Sequence, residues 1–243
     1  MTTSWPRPHW TPGTERAVLL YFVFGDFDAD LSLPVSGTAL QARRYRHDDL
    51  RDWSGYPLAG QLGALLQHDQ PRVHEHATQV GDVVRLMVDL PDPADLDYLR
   101  DALRAIDALL DAGGVAVVDP QALGLFDAAA WRQHYVEARA PRAHVLILRD
   151  DEAEGAWVHS RGMRKFARPD ISIHGVPEAD VPRAGALCER LVELQVLGMR
   201  FEDGQALEIE GFDVALQVVC AGAPDDPRFN NEHVGLRWPQ PSR

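Results

Sequence analysis

Asp92-Pro93-Ala94-Asp95-Leu96-Asp97-Tyr98-Leu99-Arg100-Asp101-Ala102-Leu103-Arg104-Ala105-Ile106-Asp107-Ala108-Leu109-Leu110-Asp111-Ala112-Gly113 reads as an amphipathic helix with both ends marked. Asp92 is expected to cap its first amides, Pro93 to open it at the first position, and Gly113 to close it in the left-handed conformation. Leu96, Leu99, Leu103, Ile106 and Leu110 recur at spacings of three and four, which places them on one face. An apolar stripe of that kind needs a sheet to pack on, and strand patterns lie on both sides of it. Residues 73–80 and 82–90, parted by Gly81, read as a hairpin, and residues 115–118 as a short buried strand. Further back, residues 17–24 are continuously apolar and end at Gly25, the pattern of a central strand buried on both faces. Short helices are expected at 37–47 and 58–68, and a longer one at 127–139 carrying Trp131 and Tyr135.

A fresh series begins after Pro141. Residues 144–149, 156–161 and 170–174 pattern as strands, 180–197 as a helix with Leu187, Leu191 and Leu194 inward and Gly198 at its end, then 206–210, 213–220 and 234–238 as strands. The expected organisation is an extension at 1–16, a first half at 17–140, a second at 141–238 and a tail at 239–243. The element order predicts an α+β fold with mixed or antiparallel sheets, each covered by a long amphipathic helix. The repeated order suggests two related halves, although no residue-level repeat is visible.

Composition narrows the classes of function. With 243 residues, 45% hydrophobic and 25% charged, the chain can bury a sizeable core without a metal or disulfide staple. A net charge of -13 repels phosphate backbones and anionic lipid, so neither nucleic acid nor membrane is expected as a partner. Two cysteines, Cys188 and Cys220, are too few for a disulfide framework and are expected as buried thiols. The first sixteen residues lack the apolar core of a secretory signal, and no apolar run reaches membrane-spanning length, so a cytoplasmic protein is expected.

The positive charge that the chain does carry concentrates in His159-Ser160-Arg161-Gly162-Met163-Arg164-Lys165-Phe166-Ala167-Arg168-Pro169-Asp170. Arg161, Arg164, Lys165 and Arg168, beside backbone freed by Gly162, would suit a phosphate or carboxylate. His159, Glu232 and His233 are the polar residues that could share such a pocket, the last two in a polar run leading into the final strand. Pairing of the arginines with the abundant carboxylates is the alternative. The same stretch, through His159-Ser160-x-Gly162-Met163, Phe166 and Pro169-Asp170, resembles a segment of an uncharacterised bacterial domain family over about residues 143–220. Ala167 stands where that pattern has glycine. The resemblance implies a shared α+β fold and carries no activity with it.

His74 and His76 share a face if 73–80 is a strand, but no third ligand accompanies them, and no metal is expected. Ser160 lies next to His159, on opposite strand faces, and no nucleophile elbow surrounds it. No phosphate loop, dinucleotide fingerprint or zinc-finger spacing occurs, so no cofactor is expected. The expectation is a non-catalytic intracellular binding or interaction protein, of regulatory or toxin-neutralising type, whose acidic surface suits a basic protein partner. The competing one is an enzyme or receptor holding a small anionic ligand on the 161–168 cluster. Convergence of those arginines in a pocket, or their dispersal, separates the two.

Overall fold

The computed structural model describes residues 5–33, 39–138, 140–208, 216–223, 226 and 229–239. They fall into two compact units, one built from Ala17–Leu90 and Asp95–His144, the other from Pro6–Arg16, Pro91–Ala94 and the chain from Val145 onward. Segment 6–16 is thus part of the second unit rather than a free extension. The fold class is α+β: helices stand beside antiparallel and mixed sheets.

The first unit contains β1 (Arg16–Gly25), β2 (Leu40–Arg46), α1 (His47–Arg51), α2 (Gly60–Asp69), α3 (Pro71–Gln79), β3 (Asp82–Pro91), α4 (Asp97–Asp111), β4 (Gly114–Asp119), β5 (Gly124–Asp127) and α5 (Ala128–Trp131). Its strands run in the order β2-β3-β1-β4-β5, which puts β1 at the centre as its apolar run predicts. Phe22 and Phe24 join Leu50, Leu58, Leu66, Ala77 and Val80 in one cluster, while Tyr21 and Val23, on the other pleat, are equally buried. On α4, Leu99 and Ile106 are fully buried and Leu103 and Leu110 nearly so, as the stripe requires. Gly113 follows the helix at φ 111°, where a Cβ would lie 2.6 Å from the Asp26 carbonyl oxygen.

Three local expectations fail here. Residues 71–79 form helix α3, not a strand: Pro71 opens it, and His74 and Ala77, three apart, bury one face. Residues 40–46, expected as helix, form edge strand β2 in register with β3, where Arg43 and Arg85 both lie over the Tyr45 ring at 4.8 and 5.7 Å. Two cation–π contacts to one ring, one of them from β3, favour that pairing over a short helix; residues 37 and 38 of the expected helix lie outside the described residues. Asp92 does not cap α4, whose first amide, that of Asp97, instead donates to the Asp95 carboxylate at 3.0 Å. The expected 127–139 helix begins as α5, with Asp127 accepting from the Ala130 amide, and widens into a π-helix over Arg132–Glu137; residue 139 lies outside the described residues.

The second unit contains β6 (Leu146–Glu152), β7 (Gly155–Arg161), β8 (Asp170–Val176), α6 (Val181–Val196), β9 (Ala206–Leu207), β10 (Leu216–Gln217), β11 (Val219–Gly222) and β12 (Glu232–Arg237). Its main sheet has the order β11-β12-β8-β7-β6, with β12 parallel to β8 and the other pairs antiparallel. Helix α6 contacts β7 and β8, and its buried residues include Leu187, Cys188, Leu191 and Val192. Leu194 is only half-buried, unlike Leu187 and Leu191. Strand β9 falls in the expected 206–210 strand, and the described part of the expected 213–220 strand is divided at residue 218 between β10 and the start of β11; residues 209–215 and the tail from 240 lie outside the described residues. Both cysteines are free thiols, and Cys220 is exposed rather than buried.

Candidate functional site

The stretch from His159 to Asp170 leaves β7, makes one 3-10 turn over Met163–Phe166 and returns as β8. Gly162 starts the turn at φ 115°, and Ala167 ends it at φ 52°. Ala167 is therefore left-handed, a conformation that favours glycine. The turn is held from inside. Ser160 donates to Asp170 Oδ1 at 2.8 Å, the Met163 amide donates to the same oxygen at 3.3 Å, and Asn231 donates to Oδ2 at 2.9 Å.

Desolvation raises the Asp170 carboxyl to a pKa of about 6 against these three donors and the nearby Arg161 charge. The folded chain therefore holds a proton at pH values where the unfolded chain has released it. Stability from this group is full below about pH 4 and is lost as pH rises toward about 6, by ~3 kcal/mol in total. Asp170→Asn removes the titration, so its stability relative to the native protein should rise by about that amount between pH 4 and pH 7. Urea melts of both proteins across that range check this; a flat difference contradicts it.

The four cations of the stretch do not converge. Arg168 is buried: its guanidinium gives Nε–H to the Met199 carbonyl at 3.1 Å, Nη2 to Gly198 at 2.7 Å, and Nη1 to Asp92 at 2.9 Å. Asp92 Oδ1 also takes Arg7 Nη1 at 2.9 Å, and its Oδ2 takes Arg200 Nη2 at 2.9 Å, while Arg200 forks onto the Glu15 carboxylate. Burial, followed by the Arg7 charge, lowers Arg168 to a pKa of about 10, which leaves it cationic at neutral pH. Arg161 ends β7 half-buried, with desolvation lowering its pKa and Asp170 opposing. Arg164 reaches the Asn230 carbonyl at 3.2 Å on the exposed side.

Lys165, the chain's single lysine, has no exposed surface. An amine-reactive ester should accordingly label the native protein at its α-amino group and spare Lys165 until denaturant is added. Peptide mapping reads this directly, and rapid native acylation of Lys165 would contradict the burial.

Of His159, Glu232 and His233, the last two share a depression with Arg168 and the first does not. His159 lies on the sheet face opposite Val158, where its Nε2–H donates to Asp150 at 2.9 Å and its ring stacks on Trp157 at 3.8 Å. Burial lowers its pKa, so it is neutral and no anion ligand. His233 stacks on Phe229 at 4.6 Å. Glu232 and His233 belong to β12 rather than to a loop before it, because the parallel ladder with β8 starts at His233. Together with Arg168, Glu15, Arg200 and Cys220 they line a depression of about 280 Å³. Its arginines already hold Glu15 and Asp92, and desolvation, then Asp203 and Glu232, raises the Cys220 thiol, which disfavours a thiolate nucleophile.

A relay that the sequence left unnoticed occupies the same sheet face. Ser172 Oγ lies 2.8 Å from His174 Nε2, and His174 Nδ1 lies 3.0 Å from Glu152. The connectivity is that of a nucleophile, base and orienting acid. Ser172, however, has no exposed surface, and its Oγ accepts from Trp157 Nε1 at 2.8 Å, so no substrate carbonyl reaches it. The signal was present as Ser172 and His174, two apart on one strand. His74 and His76 lie on α3, where residues two apart diverge, so the pair does not share a ligand. No helix among the described residues is long and apolar enough to cross a membrane.

No family model, curated protein or solved structure matches the chain.

Proposed function

We propose that the chain is a non-catalytic binding protein, of regulatory or toxin-neutralising type, that holds a basic protein partner on the β6–β7 edge of its second unit. One observation carries the reading: the cations of the 161–168 stretch are largely spent on internal partners, while the carboxylates of the β6–β7 hairpin stand outward. Asp150, Asp151 and Glu154 have side chains 59%, 83% and 79% exposed. Strand β6 is the end of its sheet, and an acidic edge discourages self-pairing while suiting an extended basic segment. The buried Ser160 and Ser172 and the raised Cys220 thiol argue against nucleophilic catalysis at these three residues. The anionic-ligand reading is weakened by the burial of Lys165 and Arg168.

The test uses nona-arginine as probe and fluorescence anisotropy as readout. Asp151→Asn with Glu154→Gln should weaken binding about tenfold, the loss of one to two charge pairs at an interface. Asp48→Asn with Asp49→Asn, an equal charge change on α1 of the other unit, should leave it unchanged. Equal losses in both double variants, or no saturable binding, defeat the proposal.

A further inference from the structure

The first unit carries an open cavity of about 500 Å³, lined by none of the candidate site residues considered above and bounded by the α2–α3 junction, β5 and the helix that follows. Its size falls in the range that encloses a small organic ligand. The wall from the helix exists because the chain departs from α geometry: Arg132–Glu137 is a six-residue π-helix, a rare form that recurs at functional sites. That widened turn lays the His134 ring on Phe126 at 5.4 Å, within 21° of parallel, which makes a flat aromatic wall. Hydrogen-bonding groups come from two carboxamides in the same lining, Gln70 and Gln133, both exposed and neither side chain hydrogen-bonded to protein among the described residues. Val73 supplies an apolar surface, and Asp127 adds a carboxylate whose Oδ1 already accepts the Ala130 amide.

Each feature restricts the ligand. A flat wall selects a planar ring. A carboxamide offers a donor and an acceptor side by side, the pattern that pairs with the edge of a purine. A carboxylate in the lining of a strongly acidic chain rejects phosphate. We propose that this cavity binds an uncharged purine-type heterocycle, as the free base or the nucleoside, between the Phe126–His134 wall and the amides of Gln70 and Gln133. The assignment is independent of the basic-partner surface, since it lies in the other unit and uses none of its residues.

Isothermal titration of the full chain with adenosine, guanosine and inosine, and with their 5′-monophosphates, tests it. At least one nucleoside should saturate at or below roughly millimolar concentration, with its monophosphate at least about tenfold weaker. Gln133→Ala should weaken that nucleoside about fivefold, the loss of one hydrogen bond, and His134→Ala should weaken it through the lost wall; both residues are exposed, so circular dichroism should show the fold retained. No saturation by any nucleoside, a monophosphate as tight as its nucleoside, or unchanged binding in both variants would each overturn the assignment.

Discussion

Asp92→Ala is expected to destabilise the second unit by about 3 to 5 kcal/mol, the cost of leaving buried charge without its partner. Asp92 takes one guanidinium nitrogen from each of Arg7, Arg168 and Arg200, and its side chain is 1% exposed. Removing it sets Arg7 and Arg168, both with fully buried side chains, against each other. The magnitude discriminates between two roles for this residue. A lost helix cap would cost only ~1 kcal/mol. Urea unfolding followed through the second unit settles the matter, and a loss near 1 kcal/mol would return Asp92 to the capping role that its neighbourhood in the sequence suggests.

Leu99→Ala should cost about 2 to 5 kcal/mol in the first unit, from lost transfer energy together with the cavity left behind. Leu99 has no exposed surface and lies midway between the ends of the Leu96 to Leu103 stripe. On the solvent side of the same helix, Asp101 belongs to a partly exposed i,i+3 pair with Arg104, so Asp101→Ala should change stability by less than about 1 kcal/mol. Measured side by side, the two variants separate the buried from the solvated face of one helix. Similar losses would mean that the stripe is not the core face.

The α4 stripe and the β1 run were legible because their apolar periodicities extend over whole elements and tertiary packing agrees with local pattern. Short segments were not. Residues 71–79 contain Val73 and Ala77 at helical spacing, but the alternation of His74, Glu75 and His76 mimics a strand, and only Pro71 marked the start. Strand β2 was hidden because four of its seven residues are polar or charged without regular alternation, and it is stabilised by partners on β3 that local sequence cannot reveal. The stretch 159–170 stands out by its charge, and its arginines read as an anion site or as partners of the abundant carboxylates. Arg168 finds Arg7, Asp92 and Arg200 from three distant segments, and no spacing within the stretch encodes that meeting. Asp170 was similarly opaque: its neighbours Ser160 and Asn231 are ten and sixty-one residues away.

The central claim is that the cationic stretch serves the inside of the second unit and leaves partner binding to the acidic edge. Its most direct test is a thermal-shift titration with sulfate at constant ionic strength, run on the native protein and on Arg164→Ala, a variant that removes one of the two half-buried cations of the stretch. The account predicts small, unsaturating and equal shifts in both. A saturating stabilisation of the native protein, approaching ~2.7 kcal/mol at a hundredfold excess over Kd and absent in Arg164→Ala, would contradict it and establish an anion site.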